Sequence, residues 1–189
     1  MASSRYSNVV GIDDAPFARE HRGDVPVIAT ITTQNRLDGL LVGKIRRDGR
    51  NSTERLAALI GGSRFHAHVQ AVLLQGIAVG GFNVIDIHAL AARLERPVLV
   101  VARREPNMEK IERALRRKVP GGPRKWRLIE RAGPMEPLAG VWVQRAGLDR
   151  RQAASLVRST RAHGALPEAL RLAHLIAAAF VEGTSRGRA

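Results

Sequence analysis

The chain has 189 residues, 44% of them apolar, which is enough for one sizeable core. Lysine and arginine number 31 against 17 acids, a net charge of +14, so the chain attracts polyanions such as nucleic acid, phosphorylated ligands or an anionic membrane surface; a solvated arginine-rich surface produces the same totals. The absence of cysteine excludes a disulfide scaffold, a thiolate zinc site and a cysteine nucleophile, and 4% aromatics argue against a base-stacking platform.

The opening stretch MASSRYSNVV lacks an apolar signal core, so no secretory signal is expected. "NVVGID" reads as a short buried strand. "VPVIATITT" (Val25 to Thr33) is β-branched and reads as a second strand, and "QN" as a tight turn. "RLDGLLVGKIRRD" (Arg36 to Asp48) reads as a third strand antiparallel to the second. "STERLAALIGG" (Ser52 to Gly62) carries a Ser/Thr cap and closing glycines, hence a helix. "QAVLLQG" (Gln70 to Gly76) is a buried strand. "NVIDIHALAARLE" (Asn83 to Glu95) predicts a helix, "PVLVVAR" (Pro97 to Arg103) a strand and "NMEKIERALRRK" (Asn107 to Lys118) an amphipathic helix. Beyond it, "PRKWRLIERAG" reads as helix and "LAGVWVQRAG" as strand. Asp149 caps a further helix, and "PEALRLAHLIAAAFVEG" (Pro167 to Gly183) is a last helix begun by proline. Its apolar run LIAAAF is too short to span a bilayer, so a soluble, cytoplasmic protein with no membrane partner is expected.

Three strands in a meander, then strand–helix alternation, predict a mixed sheet with helices on its faces, the fourth strand lying beside the first. This is the α/β architecture of the ribonuclease H-like fold: a five-stranded mixed sheet, an antiparallel meander plus parallel strands. One domain over residues 1–189 is expected, its core at about 8–118 and a C-terminal strand and helix extension at about 119–183 packed on it.

In such a sheet the ends of the first and fourth strands share a crevice. Asp13 and Asp14 end the first; alternation sends them to opposite faces, one to the crevice and one to a cap or pair. Phosphodiesterases that use two metals need carboxylates converging on the ions, whereas an Asx-turn explains the same Asp–Asp pair. The fourth strand ends in Gln75, a neutral amide able to bond a base, a phosphate or a water. After it, Gly76, Gly80 and Gly81 and the segment at Asn83 suggest free amides where an anion rests; a tight turn is the alternative. Asp48 ends the third strand within reach of the crevice, while Glu54 and Asp86 suit helix capping. His174 interrupts an apolar helix and could face the sheet; Arg171 precedes it by a turn and is assigned to substrate. His66 and His68 share a face of an extended segment but lack an evident third ligand. No Walker loop, nucleophile elbow, H-E-x-x-H or dinucleotide fingerprint occurs.

Together "GIDDAPF", "LDGLL", "DGRNSTE", "LQGIAVGGFNVIDI", "RPVLVVARREPNMEKIERAL" and "LPEALRLAHLIA" resemble a family once numbered as domain of unknown function ninety-nine and labelled endonuclease dU, from about Val9 to Ala179. That family is similar to endonuclease V, a ribonuclease H-like enzyme that uses magnesium to nick DNA or RNA beside a deaminated base. The resemblance implies the first catalytic aspartate at Asp13. It aligns Gln75 with a second aspartate and His174 with an aspartate of the C-terminal helix, and leaves Asp48 nearest the expected glutamate. It therefore implies a magnesium or manganese ion on Asp13 and Asp48, with Asp14, Gln75 and His174 completing the catalytic set. Imidazole suits manganese better than magnesium and also serves as a general base. Three readings follow: a metal-dependent nuclease on DNA or RNA acting at uracil or hypoxanthine, a non-catalytic nucleic-acid-binding module, or an enzyme for a small phosphorylated ligand cradled by "GIAVGGFN".

Overall fold

The N-terminal meander consists of β1 (Asn8–Asp14), β2 (Asp24–Thr33) and β3 (Arg36–Arg46), all antiparallel. It opens the computed structural model of the protein, which describes residues 6–185. Gln34 and Asn35 both take left-handed backbone, φ 49° and 68°, giving the two-residue turn whose twist matches a hairpin. Next come α1 (Ser52–Gly61) and β4 (Ala71–Gln75), and β4 runs parallel to β1 with Ile12 opposite Leu74. A small hairpin of β5 (Ala78–Val79) and β6 (Asn83–Val84) leads to α2 (Ile87–Leu94) and to β7 (Val98–Ala102), parallel to β4. The chain continues through α3 (Met108–Lys118), α4 (Gly122–Ala132), β8 (Glu136–Leu138), β9 (Val141–Ala146), α5 (Arg150–Ser159) and α6 (Glu168–Glu182).

The sheet order is β3-β2-β1-β4-β7-β9-β8. The expected five strands form its core, and the fourth does lie beside the first. The C-terminal strand, however, is a member of the sheet: β9 pairs antiparallel with β7, and β8 with β9, making seven strands rather than five. The all-apolar β7 would otherwise be an exposed edge with unpaired backbone groups.

The helix expected from Asn83 begins only at Ile87. Asp86 takes extended backbone and its carboxylate accepts the Ala89 N–H at 3.1 Å, so the N-cap sets the start. His66 and His68 lie in turns rather than an extended segment, and His66 Nε2 bonds the Leu94 carbonyl.

Alternation divides the strands between two layers. Val10, Ile12, Val72, Leu74 and Val100 meet Leu56 and Ile60 of α1 and Leu90 of α2. Val9, Leu73, Leu99 and Val101 meet Leu156 and Val157 of α5 and Ala169 and Leu170 of α6. Each such Val, Leu or Ile side chain stabilises the fold by about 1.5–3 kcal/mol relative to exposure. The central strands are covered on both faces, which is why they read as continuous apolar runs. Among the described residues no helix is long and apolar enough to cross a membrane.

Candidate functional site

The C-terminal ends of β1 and β4 lie side by side, one residue beyond the last pair Ile12–Leu74. Those next residues are Asp13 and Gln75. Alternation sends Asp13 toward the α6 layer with Val9 and Gly11.

The approach of α6 is governed by Gly11: a Cβ there would stand 2.4 Å from the Ala169 carbonyl carbon, so only glycine admits the helix backbone. The buried Thr30 hydroxyl donates to the Ala169 carbonyl at 2.6 Å, fixing the helix along its axis. Ala173 and Ala177 present small buried faces to the strands. From this pinned helix His174 reaches back, and its Nδ1 lies 2.8 Å from Asp13 Oδ2. The other carboxylate oxygen of Asp13 accepts the Asp14 N–H at 3.0 Å.

Asp13 is only 6% exposed. Burial raises its pKa from 3.8 to about 6; the hydrogen bond to His174 opposes that rise and the neighbouring charge of Asp14 adds to it. With Nδ1 engaged by a carboxylate, Nε2 is the imidazole nitrogen left for an outside partner, and the side chain is 38% exposed. An imidazole whose Nδ1–H donates to a buried carboxylate carries its lone pair on Nε2, the state in which it accepts a proton.

Asp14 takes the opposite face, as alternation requires. Its Oδ2 accepts the Gly80 N–H at 3.0 Å, and burial pushes its pKa upward against that bond. Asp48 lies in the turn after β3 with φ 49°; its Oδ1 accepts the Phe82 N–H at 2.8 Å and its own N–H donates to the Gly80 carbonyl at 2.8 Å. Arg47 Nε stands 3.3 Å from the other Asp48 oxygen. Gly81, at φ 79°, is held so close that a Cβ would meet Asp48 Oδ1 at 2.6 Å. The glycine loop thus differs from the expected anion cradle: the Gly80 and Phe82 amides are taken by the protein's own carboxylates.

Asn83 is fully buried and ties three segments together, accepting the Ser52 N–H and donating to the Arg46 carbonyl and to Asn51 Oδ1. It is therefore a structural bracket, closed to substrate. Arg171 makes two bonds to Glu168, at 2.9 and 2.5 Å, and holds that buried carboxyl below the usual range. Gly76, at φ 86°, faces open space and lines a cavity of about 210 Å³ walled by Phe82, Met108, Ile111, Ile129 and Met135. Gln144 supplies a polar group to that wall, and its Nε2 donates to the Gly133 carbonyl.

The residues brought together are Asp13 and His174, with Gln75 at the adjoining strand end; Asp14 and Asp48 meet at the Gly80–Phe82 loop. Among the described residues, no group of three or more His, Asp or Glu side chains is gathered closely enough to hold a metal ion. Gln75 Oε1 is buried and has no hydrogen-bond partner among the described residues. The oxygen donors at these two strand ends are the Asp13 carboxylate and Gln75 Oε1. They do not fit a pair of cations bridged by several carboxylates.

Sequence reasoning missed Gly11, Thr30 and Lys125. A glycine inside a strand pattern is itself a signal of close backbone approach. Lys125 shares a buried helical stripe with Ile129 and Ala132 at the spacing of one face, a pattern present in "KWRLIERA".

A family model described as endonuclease dU matches residues 5–181. A UPF0215 protein of Deinococcus radiodurans is 51% identical over 187 residues, covering 99% of this chain and 95% of its own. One from Methanothermobacter thermautotrophicus is 40% identical, covering 96% and 91%. A crystal structure of a protein of unknown function from Archaeoglobus fulgidus superposes with a TM-score of 0.87 at 31% identity, over 93% of this chain and 99% of that one. Endonuclease V of Ciona intestinalis, in complex with a 24mer DNA containing an inosine followed by a ribo-adenosine, superposes with a TM-score of 0.59 at 11% identity, over 92% and 85%. Human endonuclease V gives 0.57 at 13%, over 92% and 84%. The last two likenesses concern the fold, which is ribonuclease H-like.

Proposed function

Because the chain belongs to the endonuclease dU family and shares its fold with endonuclease V, we propose that it is a metal-dependent nuclease acting at deaminated bases such as uracil or hypoxanthine. The observation that carries this reading is the buried Asp13 carboxylate bonded to His174 at the joint end of β1 and β4.

In this reading Asp13 would hold one magnesium or manganese ion, with Gln75 Oε1 accepting from a water or ligand beside it. Such an ion supplies positive charge for the phosphoryl oxygens. His174 has the exposure and the free Nε2 needed to take a proton from an attacking water. Asp13, through Nδ1, orients the ring and stabilises its protonated form. The apolar cavity beside Gly76 has the volume for an extruded base, with Gln144 as its polar group. The net charge of +14 favours a phosphate-rich substrate, DNA or RNA.

A second reading has its own support. Asp14 and Asp48 bond backbone amides, so one carboxylate remains toward α6, and a binding module that does not cut would have that inventory. Labelled DNA and RNA oligonucleotides containing uracil, hypoxanthine or neither, incubated with magnesium or manganese, separate the two. The nuclease reading expects lesion-dependent nicking, lost in Asp13→Asn and lowered about 10²- to 10⁴-fold in His174→Ala. Salt-sensitive binding without nicking under any of these conditions would favour the module.

A further inference from the structure

On the far side of the Gly80–Phe82 loop, between α4 and the starts of α1 and α2, lies a cleft of about 630 Å³. Arg50, Arg93, Arg124 and Lys125 line it, with Asp48, Glu54 and Asp86. The acids are already engaged. Asp86 caps α2 and pairs with Arg131; burial raises its pKa, but that partner and the Ala89 amide together hold it low. Asp48 bonds the Phe82 amide and stands beside Arg47. Glu54 faces Arg93 at 3.9 Å, both exposed. Arg50 and Arg124 have no acidic partner among the described residues.

Lys125 is the unusual member. It is 5% exposed; its ammonium donates to the Asp48 carbonyl at 2.5 Å, and the charge it feels is the Asp48 carboxylate, which also stands beside Arg47. An ammonium has three donors, and burying one is costly when its counter-charge is shared with a second cation. Burial draws its pKa down, against the opposing charge of Asp48. An anion entering the cleft would add a counter-charge to the one that Lys125 shares with Arg47 at Asp48.

We propose that this cleft is a second phosphate-binding site, in which Arg50, Arg124 and Lys125 hold the backbone of a nucleic-acid strand whose reacting phosphodiester lies at Asp13 and His174. The proposal rests on the nucleic-acid reading above. Asp48 links the two places: its carbonyl faces Lys125, its N–H and carboxylate hold the loop, and the same loop bonds Asp14. A strand suits the cleft better than a free nucleotide, because no aromatic side chain among the described residues lines it to stack a base. Its contacts are to phosphate alone, so it adds affinity without reading sequence.

The test is fluorescence anisotropy of labelled single-stranded and duplex oligonucleotides over a range of salt, with the double variant Arg50→Ala/Arg124→Ala. Both side chains are exposed, so the melting temperature serves as a control for folding. The slope of log K against log salt should fall by about 0.7 per arginine on a single strand and about 0.9 on a duplex. Lys125→Met, which keeps the aliphatic packing, should lower the slope by a further similar step. An unchanged slope in the double variant overturns the cleft. Displacement of the oligonucleotide by inorganic phosphate or a nucleoside monophosphate at equal phosphate concentration overturns it in favour of a small-ligand site. Nicking by wild type with an unchanged slope in the variant removes the cleft and leaves the nuclease. Absence of nicking with the predicted loss of slope removes the nuclease and leaves the cleft.

Discussion

Replacing Asp13 by Asn should stabilise the protein at neutral pH while abolishing its proposed activity. The wild-type carboxyl is buried, and its pKa rises from 3.8 to about 6. The folded state therefore favours the protonated form. This group's contribution to stability is full below the unfolded value and is lost as pH rises through about 6. At 1.36 kcal/mol per pKa unit, the loss is roughly 3 kcal/mol. Asparagine carries no charge at any pH and escapes it, while its amide oxygen can still accept from His174. For a chain of this length 1 kcal/mol moves Tm by about 2–4 °C. The difference in Tm between Asp13→Asn and wild type should thus widen by roughly 6–12 °C between about pH 3 and pH 7. Thermal melts by circular dichroism in chelator, across that range, provide the assay. A difference that stays constant with pH, or narrows as pH rises, would refute the argument that a desolvated carboxylate is held here against its preference. A functional group kept at a stability cost is common at active sites.

Manganese or magnesium should raise the Tm of wild type but not of Asp13→Asn; at a hundredfold excess over Kd the gain is about 2.7 kcal/mol, and equal shifts in the two proteins would remove Asp13 as a ligand. Gly11→Ala drives a methyl against the Ala169 backbone and should cost roughly 3 kcal/mol in urea unfolding, with loss of nicking as His174 parts from Asp13; a cost under about 1 kcal/mol would show that α6 is not seated by that contact. Gln75→Leu removes a buried oxygen that lacks a partner and should stabilise the metal-free protein by about 1 kcal/mol, read as a higher Tm in chelator. A lower Tm would mean that the amide is already satisfied.

Much of the architecture was legible along the chain because strand and helix periods differ. The β-branched run of β2, the apolar β4 and β7, and the Ser/Thr, Asn and Asp caps each mark an element locally. The Gln34–Asn35 turn was equally visible, since those residues tolerate left-handed backbone. The helix after the glycine loop shows the limit: Asp86 was legible as a capping acid, but the helix was read from Asn83, whereas it starts only after that cap, and Asn83 and Val84 became strand. The membership of β9 in the sheet was not legible. Nothing in "VWVQRA" says which edge it joins; that depends on β7 needing a partner.

The candidate site divides in the same way. Residue types and strand alternation alone put Asp13 and Asp14 at a strand end on opposite faces, and Gln75 at the neighbouring end. Sequence could not say that Asp14 and Asp48 would bond amides of one glycine loop, because that loop is brought to them from more than thirty residues away. Nor could it say that His174, 161 residues beyond Asp13, would bond it. That contact depends on Gly11 letting the backbone of α6 come close and on Thr30 holding it there. Local chemistry chooses the elements, because propensity, caps and turns act within a few residues. Only tertiary packing decides which polar groups meet, because a buried carboxylate must find its donor wherever the fold delivers one.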